Sequence, residues 1–212
     1  MKAKESYNVV AKEYVERFAG ELANKPFDRK VLQDFAARVK SVAPLPVLDL
    51  GCGPGQVAAF LEALGVPVIG IDIAPDMLRE ARELHPYIEF REGDMYALDL
   101  PAESFAGLVA FYSIIHIERE DVAGVLDNLR RLLIPGGRLL ISIHIGSEIR
   151  HSDEWWDKSV DLDFVFFEVD EMTGYLAEAG FTAIEYFERD PYPDIEVQTR
   201  RAYIEAVRPV VE

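Results

Sequence analysis

The sequence of 212 residues contains a single cysteine, Cys52. One cysteine excludes an intrachain disulfide framework and a metal site of clustered cysteines, and it is typical of a reducing compartment. No stretch approaches the ~20 consecutive apolar residues that a membrane-spanning helix needs. Residues 1–20 interleave charged and apolar side chains, so they lack the apolar core of a signal peptide. These features predict a cytoplasmic protein without a membrane segment or a metal site.

Basic side chains are also scarce. The sequence has 22 lysines and arginines against 38 aspartates and glutamates, a formal net charge of −16. Such a surface opposes approach to phosphate backbones, so we expect no general nucleic-acid binding. Half of the residues are hydrophobic, which is enough for a folded core despite the charge. The length and the absence of a linker favour one domain over residues 1–212, while the sequence leaves the oligomeric state open.

The apolar pattern changes from helical to alternating along the chain. Residues 1–43 have apolar side chains at three- and four-residue spacing, which predicts an N-terminal helical cap. The pattern then predicts strands at residues 47–50, 68–72, 88–91, 108–115 and 139–145, with helices at 57–64, from Pro75 to 84, and at 122–133 until Pro135. Strands that are apolar on both faces and alternate with helices indicate a doubly wound, mostly parallel sheet of an α/β protein.

The C-terminal third is less regular. Residues 146–163 are polar and carry Trp155 and Trp156, and we interpret them as an insertion over the carboxyl edge of the sheet, near a substrate site. The remaining pattern predicts a strand at residues 164–167, a helix capped by Asp170 and closed by Gly180, and strands at residues 182–189 and 201–207.

Three acidic residues stand at the carboxyl ends of predicted strands: Asp49, Asp72 and Asp94. Ligands of open parallel sheets bind at these ends, so the three carboxylates should share one rim. The glycine-rich loop 51–55 follows the first strand and lets a ligand approach the backbone closely. A nicotinamide dinucleotide site needs a glycine where Gln56 stands, so the loop does not favour such a site. A Walker-type phosphate-binding loop is not favoured either, because no lysine of that motif follows.

The run Asp49-Leu-Gly-Cys-Gly-Pro-Gly55 resembles the Asp/Glu-x-Gly-x-Gly-x-Gly signature of class I S-adenosylmethionine-dependent methyltransferases. Segments 70–77, 93–95, 132–137 and 176–181 are similar to further motifs of that family, so the resemblance covers essentially the whole chain. Ala106 departs from the family pattern, which has an aspartate there. The resemblance implies a Rossmann-like sheet, mostly parallel with an antiparallel last strand, and helices on both faces.

The same resemblance implies S-adenosyl-L-methionine as cofactor and S-adenosylhomocysteine as product. It implies the following cofactor-binding residues: Tyr7, Tyr14, Asp49, Gly51, Cys52, Gly53, Gly55, Asp72, Ile73, Met77, Asp94 and Met95. Asp72 would accept bonds from both ribose hydroxyls and Asp94 from the adenine amino group, since carboxylates offer two acceptor oxygens. Asp72 could also cap the following helix, and Tyr7 and Tyr14 could equally be core residues. We interpret Cys52 as a packing residue rather than a nucleophile.

Candidates for the acceptor side come from the residues after the apolar strands. Tyr112 and His116 are candidate catalytic residues, and His144, Trp155 and Trp156 are candidate substrate-binding residues. A histidine near neutral pKa can remove a proton from an acceptor, but each histidine could also be structural. We therefore expect methyl transfer to an oxygen or nitrogen of a small molecule. The alternatives are an inactive cofactor-binding regulatory or partner protein and, more distantly, a nicotinamide oxidoreductase.

Overall fold

Residues 2–210 are described by the computed structural model, which alternates helices and strands along most of the chain. The helices are α1 (Lys2–Phe18), α2 (Pro26–Lys40), α3 (Gln56–Ala63), α4 (Pro75–Leu84), α5 (Arg119–Leu132) and α6 (Val169–Glu178). The strands are β1 (Val47–Leu50), β2 (Val68–Asp72), β3 (Glu89–Glu92), β4 (Phe105–Phe111), β5 (Leu133–His144), β6 (Ile149–Trp155), β7 (Lys158–Val165), β8 (Thr182–Arg189) and β9 (Arg201–Val207).

Seven strands form one sheet in the order β3-β2-β1-β4-β5-β9-β8. The pairings among β3, β2, β1, β4 and β5 are parallel, whereas β9 runs antiparallel to both β5 and β8. The expected fold, including the antiparallel last strand, is thus confirmed. The strand order reverses between β1 and β4, and this switch point opens a crevice at the carboxyl ends of the strands.

Three local expectations were wrong. β4 ends at Phe111 rather than residue 115, because Tyr112 has a φ of 55° and turns the chain into a short 3-10 helix, Ile114–His116. The helix before Pro135 ends at Leu132, and the Pro-Gly-Gly run lies within β5, near a register shift in its pairing with β4. Asp170 does not cap α6: the N-cap is Glu168, and Asp170 lies in the first turn, where the helix dipole favours a carboxylate.

The polar segment after β5 forms a β-hairpin. Strands β6 and β7 make a separate two-stranded sheet, and the strand expected at residues 164–167 is the end of β7 and its continuation. Their turn residues, Trp156 and Asp157, both have positive φ, the geometry that matches the twist of paired strands. The hairpin packs on α1: the Asp161 N–H donates to Ser6 Oγ at 2.8 Å, and Lys158 pairs with Glu13 at 3.0 Å.

The core lies on both faces of the large sheet. One layer packs under α5 and α6, and the other under α2 and α3. Within residues 2–210, no helix has the length and apolar character to cross a membrane.

Gly70 in β2 tests how tightly the site side of the sheet is packed. A Cβ at Gly70 would lie 2.5 Å from Phe90 and 3.0 Å from Cys52 Sγ. We expect Gly70→Ala to lower the free energy of unfolding by ~1–3 kcal/mol, as overpacking does. Gly124→Ala is the matched control, because open space surrounds Gly124 in α5 and alanine there should add ~1 kcal/mol. Urea denaturation of both variants measures the difference, and equal midpoints would contradict this account of the packing.

Candidate functional site

A cavity of about 850 Å³ lies at the carboxyl ends of β1, β2, β4 and β5. Its floor is the glycine loop 51–55 and the residues that follow the strands, as expected for a sheet with a switch point. Its roof is α1 together with the β6–β7 hairpin, and we use the word roof for these two elements. The cavity is within the ~300–1,000 Å³ range of small-molecule sites.

The glycine loop has a backbone that needs glycine. Gly51, Gly53 and Gly55 have φ of 66°, 53° and 83°, the left-handed region that side chains disfavour. A Cβ at Gly51 would also collide with the Ser113 side chain. The loop leads into the N-terminus of α3, and its residues 51–53 line the cavity.

Asp72 ties the ends of β1 and β2 together. Its carboxylate accepts the Gly53 N–H at 2.8 Å and the Ala74 N–H at 2.9 Å. Ala74 precedes α4 and is itself the N-cap residue, so Asp72 bonds no first-turn amide and does not cap the helix. Burial raises the pKa of Asp72, and backbone hydrogen bonds from Ala74, Gly53 and Ile73 partly offset that rise. The side chain lines the cavity and holds the glycine loop in place.

Asp49 is the most unusual carboxylate of the site. It is 1% exposed, and its Oδ2 has no hydrogen-bond partner. Burial raises the pKa of Asp49 to about 7, and the neighbouring Asp72 adds to the rise. A buried carboxylate oxygen without a partner is costly, and a ligand cation in the cavity would relieve the cost.

The adenine-side candidates lie together at the end of β2 and after β3. Asp94 accepts the Tyr96 N–H at 3.0 Å, and Ile73, Met77 and Met95 line the same cavity. Cys52 also lines the cavity but is buried, and desolvation with the nearby Asp72 and Asp49 charges raises the pKa of its thiol. A thiol in that environment is a weak nucleophile, which supports the interpretation of Cys52 as a packing residue.

Tyr7 and Tyr14 project from α1 into the cavity, with ring centroids 5.8 Å apart. Both also pack against the buried Met77 and Ala11, so each is a roof residue and a packing residue at once. A cofactor-binding role and a core-packing role for Tyr7 and Tyr14 are therefore compatible.

His116 links the roof to the floor. Its Nδ1 lies 2.9 Å from the Asp163 carbonyl and its Nε2 lies 2.8 Å from the Tyr7 hydroxyl. A carbonyl oxygen can only accept, so Nδ1 carries the proton, Nε2 has the lone pair, and the Tyr7 hydroxyl donates to it. Burial lowers the pKa of His116, which keeps the ring neutral. Both ring nitrogens are thus occupied by the protein.

Tyr112 and His144 meet at the other end of the cavity. The Tyr112 hydroxyl pairs with the Tyr203 hydroxyl at 2.9 Å, and Ser142 Oγ accepts the Tyr112 N–H, which stabilises the positive φ. His144 Nδ1 lies 2.7 Å from Thr199 Oγ1, and its ring is 5.1 Å from that of Tyr112. Burial and nearby cations lower the pKa of His144 to about 3, so this histidine is neutral.

The two tryptophans occupy different positions relative to the cavity. Trp155 lines the cavity, 6.0 Å from the Tyr7 ring. Trp156 packs behind it on Phe18, with the Arg17 guanidinium 5.0 Å from its ring centroid. The structure therefore brings Trp155, His144 and His116 to one cavity and places Trp156 in the support of the roof.

Sequence reasoning missed a buried ionic network beside the His144 end of the cavity. Arg189 donates to Asp28 Oδ2 at 2.7 Å, to the Tyr203 hydroxyl at 2.9 Å, and to Glu196. Lys25 and Arg201 lie next to Glu196, are nearly fully buried, and line the cavity. Nothing in the local pattern of these charged residues distinguishes them from surface residues, because segments far apart in the chain bury them.

Comparison with known proteins identifies proteins that this chain resembles. Residues 47–137 match the family model described as a methyltransferase domain. A trans-aconitate 2-methyltransferase of Methylobacterium nodulans is 37% identical over 118 residues, which cover 52% of this chain and 42% of that protein. An uncharacterized methyltransferase of Schizosaccharomyces pombe is 28% identical over 197 residues, covering 81% of this chain and 72% of that protein.

A solved structure shows the same architecture. A SAM-dependent methyltransferase of Methanosarcina mazei has a TM-score of 0.70 and 17% identity, and the match covers 79% of this chain and 93% of that one. At this identity the likeness shows the fold alone. The chain also spans less than half the length of the Methylobacterium relative.

Proposed function

Because this chain belongs to the class I S-adenosylmethionine-dependent methyltransferases, we propose that it transfers a methyl group from S-adenosyl-L-methionine to an oxygen or nitrogen of a small-molecule acceptor. The observation that carries the proposal is the continuous cavity, which joins the glycine loop and Asp72 to the His144 and Arg201 end. One cavity can thus hold cofactor and acceptor side by side. Held together, they react with a barrier lowered by up to ~7–11 kcal/mol through alignment.

The residues present fit the cofactor. A Cβ at Gly53 would enter open cavity space, with Tyr14 at 3.9 Å as its nearest neighbour, and Asp49 has an unpartnered buried oxygen. We assign the loop and Asp49 to the methionine part, Asp72 to the ribose, and Asp94 with its apolar neighbours to adenine. When bound, the cofactor supplies an activated methyl group on a sulfonium.

We expect cofactor affinity to depend on pH through Asp49. Its folded pKa of about 7 lies above the usual value of 3.8, so the folded protein holds this proton where the unfolded chain releases it. Rising pH across that interval therefore destabilises the unliganded protein. A bound ammonium group favours the ionised form, so affinity for S-adenosylhomocysteine should rise about tenfold between about pH 6 and pH 8, with proton release.

Calorimetry in buffers of different ionisation enthalpy measures the number of protons released when S-adenosylhomocysteine binds. The matched control is Asp49→Asn, which removes the titrating group at nearly constant volume and should bind with little dependence on pH. Equal affinity of the wild-type protein at both pH values would contradict the role given to Asp49.

For His116 we propose a positioning role. Its two hydrogen bonds join α1, the 3-10 helix and β7, and Tyr7 occupies the lone pair that a general base needs. We expect His116→Gln to keep cofactor affinity and lower turnover about 10- to 100-fold, with an unchanged shape of the pH–rate profile. Tyr7→Phe, which removes the same bond from the other side, should give a similar loss. Loss of one limb of the profile in His116→Gln would instead identify a base.

Two assays test the proposed function together. Calorimetric binding of S-adenosylhomocysteine, with NAD as control, tests the cofactor, and transfer of an isotope-labelled methyl group to a panel of acceptors tests the activity. Trans-aconitate belongs in the panel because a relative is named for it. Binding without transfer to any acceptor would favour a cofactor-binding regulatory or partner protein, and absence of binding would remove the proposal.

We also propose a cytoplasmic location and a small molecule, rather than a nucleic acid, as partner. The single cysteine and the net charge of −16 support these two points. Cell fractionation with an antibody to the chain tests the first.

A further inference from the structure

Helix α4 begins with backbone N–H groups that its own sequence leaves without an acceptor. Its N-cap residue is Ala74, which has no side-chain oxygen, and Pro75 at the first helical position has no N–H. The N–H groups of Asp76 and Met77 remain, because the start of a helix has no preceding turn whose carbonyls could accept them. An acceptor for these groups has to come from water or from another part of the chain.

Asn8 of α1 provides one such acceptor. Its Oδ1 accepts the Asp76 N–H at 2.9 Å, and the two residues are 68 positions apart in the sequence. Asparagine is among the preferred capping residues, because its short side chain holds an amide oxygen where a first-turn N–H can reach it. Here the cap comes from a neighbouring helix, so α4 has this cap only while α1 lies against it.

The cap belongs to a face of α1 that lies along α4 and β3. One turn before Asn8, the Lys4 Nζ lies 2.6 Å from the Glu92 carboxylate in an exposed ion pair. One turn after it, Ala11 packs in a buried cluster with Met77 of α4. Residues three and four positions apart share one side of a helix, so these three contacts form one line. The hydrogen bond of Asn8 is the directional contact in that line that is partly shielded from water.

The start of α4 is continuous with the segment assigned to the nucleoside part of the cofactor. Asp72 ends β2, and only Ile73 and Ala74 separate it from α4. The Asp72 carboxylate accepts the Ala74 N–H at 2.9 Å and the Gly53 N–H at 2.8 Å. Ile73 and Met77 also line the cavity. A displacement of the first turn of α4 would therefore move the backbone that orients Asp72 together with two side chains of the cavity wall.

The other side of α1 is held by the hairpin. Ser6 Oγ accepts the Asp161 N–H at 2.8 Å, and Val10 packs with Val160 and Leu162. Ser6 and Asn8 are thus two residues apart on one helix, and each accepts a backbone N–H with a side-chain oxygen. They differ in the element that they hold, which is β7 for Ser6 and α4 for Asn8.

We propose that Asn8 is a positioning residue for the nucleoside part of the cofactor. By capping α4 from α1, it holds the segment from Asp72 to Ala74 where ribose and adenine binding requires it. Asn8 acts through α4, because its amide oxygen is occupied by the Asp76 N–H. The inference rests on the proposed function, in which Asp72 binds the ribose.

Calorimetry with two ligands tests this role. The first is S-adenosylhomocysteine, and the second is 5′-methylthioadenosine, which keeps the adenine and the ribose but lacks the amino acid. For Asn8→Ala we expect about five- to tenfold weaker binding of both ligands, since the nucleoside is the part that they share. Asn8→Asp keeps an oxygen for the Asp76 N–H and should bind both within about twofold of the wild-type protein. A loss confined to S-adenosylhomocysteine would place the effect on the methionine part and overturn the inference.

Ser6→Ala is the matched control, because it removes the equivalent hydrogen bond on the hairpin side of the same helix. Both alanine variants should lower Tm by about 2–4 °C, but Ser6→Ala should leave the affinity for 5′-methylthioadenosine unchanged. Lys4→Ala, which removes the exposed ion pair beside Asn8, should have little effect on Tm or affinity.

The remaining outcomes separate this inference from the proposed function. An equal loss of 5′-methylthioadenosine affinity in Ser6→Ala would mean that general loosening of α1 explains the result, and would overturn the role of the α4 cap. Wild-type affinity in Asn8→Ala would also overturn it, while leaving the cofactor proposal standing. A wild-type protein that binds neither ligand would remove the proposed function and this inference together.

Discussion

Asp72→Ala should weaken binding of S-adenosylhomocysteine by about 100-fold or more. In the proposed complex both ribose hydroxyls donate to this carboxylate, and hydrogen bonds to a charged group contribute ~1.5–3 kcal/mol each. The substitution also frees the Gly53 N–H, which the carboxylate now accepts at 2.8 Å, so the glycine loop loses a restraint. Both effects act on the cofactor and neither acts on the acceptor.

Calorimetry on the folded variant measures this loss. Asp94→Ala is the matched control, because Asp94 is assigned one bond to adenine at the partly open end of the cavity, and about tenfold weaker binding is expected. Circular dichroism establishes that each variant is folded. An Asp72→Ala protein that binds as tightly as Asp94→Ala would show that the ribose does not lie at the end of β2.

Arg189→Met should produce the largest loss of stability, a decrease in the free energy of unfolding of ~3–5 kcal/mol. The guanidinium now lies between Asp28, which is fully buried, and Glu196, and methionine leaves both carboxylates without it. Desolvation already raises the pKa of Asp28 with the arginine present. Protonation neutralises an unpaired buried carboxylate. The decrease in the free energy of unfolding caused by Arg189→Met should therefore be smaller at acid pH than at neutral pH.

Urea denaturation at two pH values tests this expectation. Arg200→Met on the adjoining loop is the control, because the Arg200 side chain is 59% exposed and its ion pair with Glu188 contributes ~0–1 kcal/mol. A loss at Arg189 no greater than that at Arg200 would mean that water reaches the network and screens it.

The sheet was predictable because its signals are local. The strands β1 and β2 are short apolar runs flanked by glycine or proline, and Asp49, Asp72 and Asp94 lie near the carboxyl ends of β1, β2 and β3 at one edge of a parallel sheet by topology alone. The same topology places the glycine loop beside them. This is why the cofactor half of the cavity could be proposed from the sequence.

The acceptor half could not be predicted, for two physical reasons. The hairpin turn has Trp156 and Asp157 at positive φ, where a sequence signal relies on glycine or asparagine. The buried charges depend on contacts between distant segments: Asp28 and Arg189 are 161 residues apart. A sequence pattern records periodicity within a segment, and it does not record which distant carboxylate will neutralise an arginine.

The roof has a consequence for the order in which the chain takes shape. The residues of α1 precede the hairpin on which they pack by a long stretch of sequence, since Ser6 and Asp161 are 155 residues apart. During synthesis α1 leaves the ribosome before the β6–β7 hairpin on which it packs. When β7 has emerged, β1 to β5 are already available to pair. The glycine loop and the strands β1 to β5 are thus synthesised before the hairpin, so we expect a ligand to reach the glycine loop before the hairpin packs on α1.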